Sequence, residues 1–156
     1  ARGVRALNLE EDDIVVGMVP VMENTTVLTV SENGQGRRTD PAEYRLQSRG
    51  GKGIKNYDTQ KNGPVAGVLA VGEEDDVILI SDDGIIIRIP VAEISTQSRY
   101  AGGVRVMRIG EGSRLVSLCR APHEDEEEAA AESEAPAEAE TPAEETADST
   151  GTPVEE

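Results

Sequence analysis

The chain repeats itself at an offset of 50 residues, and this repeat limits the possible fold more than any other feature. Ten residues between positions 27 and 53 are identical to the residue 50 positions later, and no gap is needed. The identities begin at Val27 and end at Gly53, and a third, partial copy begins at Gly3. A period of this length indicates a fold built from stacked copies of one small unit.

Each copy has the pattern of β-strands. The β-branched runs at 27–30 and 77–80 are followed by Asn33-Gly34 and Asp83-Gly84, which favour tight hairpins, and then by a return strand. One further strand per copy is predicted at 14–19, 65–71 and 115–118, and one short turn at 41–44 and 91–94. Four strands per repeat predict an all-β, propeller-like fold with about two and a half blades. Without Phe or Trp, its core must consist of Val, Ile and Leu.

The net charge of −16 is concentrated in an acidic tail, residues 123–156. The tail holds 14 of the 31 acidic residues and no Lys or Arg, so residues 1–122 carry 17 acids against 15 bases. Its Ala, Glu, Pro and Thr cannot bury enough apolar surface to offset the entropy of ordering, which predicts a disordered tail after the blades. It could simply aid solubility, or it could mimic a polyanion and compete for a basic surface.

Residues 47–53, QSRGGKG, are the most distinctive short segment, and we call them the box loop. Its glycines let main-chain amides approach a ligand closely, and its Arg and Lys add positive charge. This combination predicts a phosphate ligand. A nucleotide-binding Walker A loop is excluded, because the pattern would need Gly at Leu46 and Ser or Thr at Gly53. The candidate phosphate-binding residues in the loop are Gln47, Ser48, Arg49, Gly50, Gly51, Lys52 and Gly53.

Basic and acidic residues are segregated within the repeat. Residues 35–55 carry a net charge of +4 and residues 85–108 a net charge of +3, whereas acids cluster at 10–13 and 73–76. Basic loops on stacked blades would form a band suited to the DNA backbone, where binding is electrostatic and independent of sequence. The alternative is that these basic loops are solvent-exposed and bind no ligand. Beyond the box loop, the predicted band contains Arg37, Arg38, Arg45, Lys55, Arg88, Arg99 and Arg105.

The box loop and its surrounding repeat resemble the C-terminal domain of DNA gyrase A, which carries a Gln-basic-Arg-Gly-Gly-basic-Gly loop. Lys52-Gly53-Ile54 and the Glu32-Asn33-Gly34 turn also resemble that domain's blades. The similarity covers residues 1–122, and acidic tails occur in the family. Ser48 departs from the pattern, which has a base there, so this loop resembles a weakened later copy of a box that belongs to the first blade.

The resemblance implies a β-pinwheel, a ring of six blades that exchange strands, with duplex DNA bent and wrapped around its basic perimeter. It further implies a bacterial, cytoplasmic, nucleoid-associated component of an A2B2 complex with gyrase B, supporting ATP-dependent negative supercoiling. Catalytic residues, ATP and Mg are expected elsewhere in that complex, with no cofactor in this chain and no membrane. The alternatives are the related C-terminal domain of topoisomerase IV, which sets substrate choice, or a non-catalytic repeat scaffold that binds protein.

The remaining reactive residues favour structural roles. Tyr100 follows Arg99, as a cleavage tyrosine can, but the repeat aligns it with Gly50 in the box loop, so we expect a loop residue. His123 lacks the further ligands that a metal site needs. Cys119 excludes an internal disulfide, fits a reducing cytoplasm, and is predicted to be a small core residue. The acidic turns at 73–76 and 82–83 lack the ligand spacing of a calcium-binding EF-hand loop.

Overall fold

The computed structural model describes residues 2–123, so the predicted disorder of the acidic tail lies outside the described residues. Short helical turns lie at Pro41–Glu43, Thr59–Asn62 (α1) and Val91–Glu93, the first and last of which were predicted. The strands are β1 (Thr26–Ser31), β2 (Gln35–Thr39), β3 (Val65–Val71), β4 (Asp75–Ser81), β5 (Ile86–Pro90), β6 (Val104–Arg105) and β7 (Leu115–Pro122).

Both predicted hairpins form. β1 pairs with β2 and β4 with β5, each antiparallel, with Val27 opposite Thr39 and Val77 opposite Ile89. In each turn the glycine alone adopts a positive φ, 74° at Gly34 and 85° at Gly84. A glycine in this conformation at the end of a short loop starts the return strand without a steric penalty. The two halves of the repeat therefore fold alike because their turn chemistry is alike.

The strands form two antiparallel sheets, in the orders β3-β1-β2-β6 and β5-β4-β7. β6 follows β4 and β5 along the chain, yet it pairs with β2, with Gln35 opposite Arg105 and Gly36 opposite Val104. A strand from one copy of the repeat thus covers the exposed edge of another copy's sheet, which would otherwise offer unpaired main-chain groups. The prediction of an all-β fold of propeller-like blades is confirmed.

The core consists of aliphatic side chains, as the composition requires. Leu28 and Val30 of the first sheet and Val77 and Leu79 of the second are fully buried, and all belong to one hydrophobic cluster. Each such side chain contributes roughly 1.5–3 kcal/mol by leaving water. The two sheets pack together where β3 approaches β7. The approach is close at Gly67, since a Cβ added there would collide with Leu118.

Two predictions from the sequence are wrong. Residues 14–19 form no strand, and Ile14 and Met18 are 79% and 93% exposed. The equivalent strands β3 and β7 each pair with a hairpin that begins about 40 residues earlier, whereas residues 14–19 pair with no strand among residues 2–123. Cys119 is exposed rather than buried, because it lies on the opposite face of β7 from Leu118.

A buried carboxylate, Asp76 of β4, connects β5 to the end of β7. It is 3% exposed, its Oδ2 accepts a hydrogen bond of 2.6 Å from Arg88 Nε, and its Oδ1 lies 2.7 Å from His123 Nδ1. Burial acts to raise the pKa of Asp76, but the hydrogen bonds from His123 and Arg88 outweigh it, so this pKa lies below its usual value. The ionised form is the one that the fold stabilises.

Acidification should therefore destabilise the protein partly through Asp76. Since its folded-state pKa is below the unfolded value, its contribution is present above about pH 4 and is lost as the pH falls further. We expect the thermal unfolding temperature to fall less on acidification for Asp76→Asn than for the natural chain, as followed by circular dichroism. Equal falls for the two proteins would show that Asp76 has no part in the acid response.

Candidate nucleic-acid interface

The box loop is an exposed turn, consistent in geometry with a surface that meets a large ligand. Gly50 and Gly53 have φ values of 77° and 78°, a conformation that L side chains rarely adopt. No atom would lie within 4 Å of a Cβ added at either position. The glycines are thus required by the backbone rather than by internal packing, and the surface above them is open to close approach.

Residues 6–8 are hydrogen-bonded to the box loop and hold it in place. The amide of Gly50 donates to Ala6 O at 2.7 Å, and the amide and Nδ2 of Asn8 donate to Gly51 O and Gly50 O at 2.9 and 2.6 Å. The Gly50 amide is therefore already engaged, contrary to the expectation that it would face a phosphate. Gly51 forms an isolated parallel bridge with Leu7, whereas the amide of Gly53 makes no main-chain hydrogen bond within residues 2–123.

The two cations of the box loop differ in their surroundings. Arg49 is exposed, and its guanidinium makes no hydrogen bond or ion pair with any residue that the structure describes. Lys52 Nζ lies 3.2 Å from Glu10 Oε1, but the two side chains are 79% and 74% exposed. An ion pair this exposed contributes at most about 1 kcal/mol, so a phosphate could displace Glu10. Gln47 and Ser48 are also exposed.

Of the other predicted cations, Arg45 and Arg105 are exposed, and neither guanidinium is bonded within the described part of the chain. Lys55 pairs with Asp58 at 3.2 Å, and its hydrogen bond is the main cause of the lowered pKa of Asp58. Arg88 pairs with Asp76 and also donates to Pro122 O at 2.5 Å. Arg45 and Arg105 are thus unpaired within the described residues, whereas Lys55 and Arg88 are neutralised by carboxylates.

Arg99, the repeat partner of Arg49, is held against its own loop. Its guanidinium lies 4.5 Å from the centre of the Tyr100 ring, donates to the Tyr100 hydroxyl at 2.6 Å, and donates to the carbonyl of Lys55. Its amide donates to Glu43 Oε2 at 2.7 Å. In the second copy of the loop, the arginine side chain is therefore engaged in contacts within the protein. Tyr100 is an exposed residue of this loop.

Arg37 does not belong to the surface band, which corrects the prediction from the sequence. It is 1% exposed, with its Nε donating to Thr39 Oγ1 and its other nitrogens to the carbonyls of Ala101 and Asn56. The guanidinium also lies 5.1 Å from the centre of the Tyr57 ring. Burial, in spite of the desolvation cost of a charge, is possible because several acceptors surround it.

Arg38 is likewise buried, at 4% exposure, so its place in the band is wrong too. Its Nε donates to Ile94 O at 2.5 Å, and its NH1 lies 2.5 Å from Glu73 Oε2. That hydrogen bond is the main cause of the lowered pKa of Glu73. Both arginines lie inside the predicted return strand rather than in a loop. That position was the sequence signal that could have revealed their structural role.

Two further findings concern the part of the chain that the structure describes. No helix among residues 2–123 is long and apolar enough to cross a membrane. Over the same residues, no three or more His, Cys, Asp or Glu side chains are grouped as metal ligands would be.

Comparisons with known proteins agree with the geometry. The sequence matches the family described as "DNA gyrase C-terminal domain, beta-propeller" over residues 1–22, 25–71 and 75–118. The DNA gyrase A proteins of Staphylococcus epidermidis and Staphylococcus aureus are each 51% identical over 57 residues, which is 35% of this chain and 6% of either relative. The chain therefore matches only a small part of these relatives' length.

Two solved structures have the same fold. A DNA gyrase A C-terminal domain superposes with a TM-score of 0.69 at 32% identity, covering 76% of this chain and 41% of that one. The C-terminal domain of a DNA topoisomerase IV superposes with a TM-score of 0.70 at 22% identity, covering 83% and 41%. The latter identity is low enough that the likeness concerns the fold alone. The family match covers most of the chain, which therefore belongs to the DNA gyrase C-terminal domain, beta-propeller family.

Proposed function

We propose that this chain binds duplex DNA without reading its bases, through phosphate contacts made by the box loop. One observation carries the proposal. Arg49 is exposed and unbonded within residues 2–123, and it lies in the same loop as Gly50 and Gly53, above which no other atom blocks a ligand. Lys52, held only by a weak exposed ion pair, adds a second cation. Exposed positive charge suits contacts to the sugar-phosphate backbone, which carry no sequence information.

The proposed contact surface follows the exposed cations. Arg49 and Lys52 form its centre, and Arg45 and Arg105 extend it, while the amide of Gly53 can donate to a phosphate oxygen. Lys55, Arg88 and Arg99 would contribute less, because carboxylates or main-chain carbonyls already engage them. Arg37 and Arg38 are excluded, since burial keeps them from any external ligand.

In the longer protein, we propose that this surface bends and wraps DNA as part of DNA gyrase, an ATP-dependent type IIA topoisomerase that introduces negative supercoils. The chain would act with the rest of gyrase A and with gyrase B, in an A2B2 complex in the bacterial cytoplasm and nucleoid. Cleavage chemistry, ATP and Mg would belong to other parts of that complex. The family membership of residues 1–118 supports this assignment.

The direct test is binding of the full chain to duplex oligonucleotides of unrelated sequence, by fluorescence anisotropy, between about 50 and 200 mM salt. We expect similar affinities for all sequences and a linear fall of log K with log salt, by about 0.9 for each phosphate contact. A marked sequence preference would contradict backbone recognition. No binding by a folded sample would favour the scaffold alternative.

Removal of the acidic tail should strengthen DNA binding. Its 14 acids are covalently joined to the chain that carries the proposed surface, so their effective concentration is high and they should compete with phosphates. We expect residues 1–123, which keep the His123 contact with Asp76, to bind more tightly than the full chain, with the difference shrinking as salt rises. The measurement is the same anisotropy titration on both forms.

A tail of unchanged length, with its acids replaced by Gln and Asn, separates charge from bulk. If charge is responsible, this form should bind like residues 1–123. Equal affinities of the full chain and the shortened chain at low salt would leave the tail with a solubilising role only.

A further inference from the structure

A second basic site lies along β6, at some distance in sequence from the box loop. Two clefts of about 500 and 360 Å³ share Gln35, Arg105, Met107 and Arg108 in their linings. The larger cleft is completed by Gly103, Val104 and Val106, and the smaller by Asn33 and Ile109. We call them together the β6 cleft. No carboxylate lines either part, so the side chains offer hydrogen-bond donors and positive charge to an incoming group.

The backbone of the β6 cleft is fixed by main-chain bonds. β6 pairs with β2, and the amides of Val106 and Met107 both donate to Gly34 O, at 2.9 and 3.2 Å. Met107 is 3% exposed and packs in the hydrophobic core. The segment is therefore anchored from Val104 to Met107, directly before Arg108, and a ligand would meet a preorganised surface.

Arg105 and Arg108 are the free cations of this site. Both are exposed, and neither guanidinium makes a hydrogen bond or an ion pair with another residue between 2 and 123. Two other exposed arginines are neutralised: Arg114, directly before β7, lies 3.7 Å from Asp82, and Arg120 of β7 lies 3.7 Å from Asp75. The β6 cleft thus holds two unneutralised arginines, whereas carboxylates neutralise Arg114 and Arg120.

The internal repeat shows that this charge is particular to one copy. At the positions of Arg105 and Arg108, the preceding copy has Lys55 and Asp58, which neutralise each other at 3.2 Å. In the other hairpin, Asp83 and Ile85 stand at the positions of Asn33 and Gln35. Asp83 would repel an anion, and Ile85 has no side-chain group that could donate to one. This position of the repeat is therefore neutral after the box loop and doubly positive after the corresponding loop at 97–103.

We propose that the β6 cleft is a second phosphate-binding site for the backbone of duplex DNA. Arg105 and Arg108 would contact phosphate oxygens, and the side-chain amides of Gln35 and Asn33 would donate hydrogen bonds to them. The site compensates for Arg99, which in this copy is turned to internal contacts. The inference rests on the proposed function for the identity of its ligand, but it stands on residues outside the box loop.

The test compares three charge-removing double variants of the full chain, each binding the same duplex across salt. Arg105→Gln with Arg108→Gln removes the free pair, and Arg114→Gln with Arg120→Gln removes two cations that carboxylates already neutralise. Arg49→Gln with Lys52→Gln reports on the box loop. We expect the first to lower the slope of log K against log salt by about 1.8, two contacts' worth, and the second to leave it nearly unchanged.

Each outcome decides the proposal. If the β6-cleft variant binds like the Arg114 and Arg120 variant, the cleft site is overturned, and a weakened box-loop variant would still support the proposed function. If the natural chain does not bind duplex DNA, both ideas fall together. Circular dichroism and thermal unfolding of every variant check that a lost contact, rather than a lost fold, explains the result.

Discussion

Replacing Arg37 by leucine should lower the free energy of unfolding by about 3–5 kcal/mol. The buried guanidinium joins β2 to two distant segments, through the carbonyls of Asn56 and Ala101 and through Thr39 Oγ1. Leucine would leave those acceptors without their donor at a site where water has limited access, and each unsatisfied buried group costs about 1–3 kcal/mol. Leucine also removes the cation that lies over the Tyr57 ring. These losses exceed what its apolar surface gains.

Urea denaturation followed by circular dichroism measures the effect. Arg45→Leu is the matched control, because it makes the same substitution at an exposed position without a side-chain partner in residues 2–123, and it should change stability by less than about 0.5 kcal/mol. Arg37→Lys should recover little, since a single ammonium cannot reproduce the planar fork. A loss below about 1 kcal/mol for Arg37→Leu would mean that water reaches and satisfies the carbonyls.

The sequence predicted the blades well because the information is local. Asn33-Gly34 and Asp83-Gly84 specify the hairpin turns, and the β-branched runs beside them specify the strands. The exchange of β6 onto β2 is a different case, expected only from the family resemblance. Nothing in Val104–Arg105 itself selects β2, since two residues carry too little pattern to choose a partner.

The errors share a physical cause, which is that a residue's partner lies far along the chain. Residues 14–19 have strand composition, but a strand needs a neighbour, and no strand among residues 2–123 pairs with them. Arg37 is read as a surface cation from its type alone, whereas its burial depends on carbonyls at positions 56 and 101. Charge predicts exposure only when no set of distant acceptors can satisfy the group.

The candidate site was predicted in part. The exposure of Arg49 follows from the glycine-rich sequence, because such a segment rarely forms regular structure, whereas the positive φ of Gly50 was not predicted. The hydrogen bonds from residues 6–8 to the box loop were not foreseen, nor was the loss of the Gly50 amide to Ala6. Arg108 was missed as a candidate, although its charge differs from that of Asp58 in the repeat alignment, and that difference was visible in the sequence.

The box loop itself is the place where the largest loss of DNA affinity is expected. Replacing Arg49 and Lys52 together by alanine should weaken duplex binding by roughly tenfold per lost phosphate contact at about 0.1 M salt, and lower the salt slope by about 1.8. The loss should be uniform across DNA sequences, because backbone contacts carry no sequence information. Fold stability should hardly change, since Arg49 has no partner among the described residues and Lys52 only the exposed Glu10.

Glu10 supplies a control of opposite sign. Glu10→Gln frees Lys52 from its ion pair and removes a negative charge beside the box loop, so the same anisotropy titration should show tighter binding and a slope no smaller than that of the natural chain. A phosphate clamp requires the two variants to move affinity in opposite directions. If Arg49→Ala with Lys52→Ala leaves both affinity and slope unchanged while the protein remains folded, the phosphates are held elsewhere, and the open glycine surface of the box loop is not the site of contact.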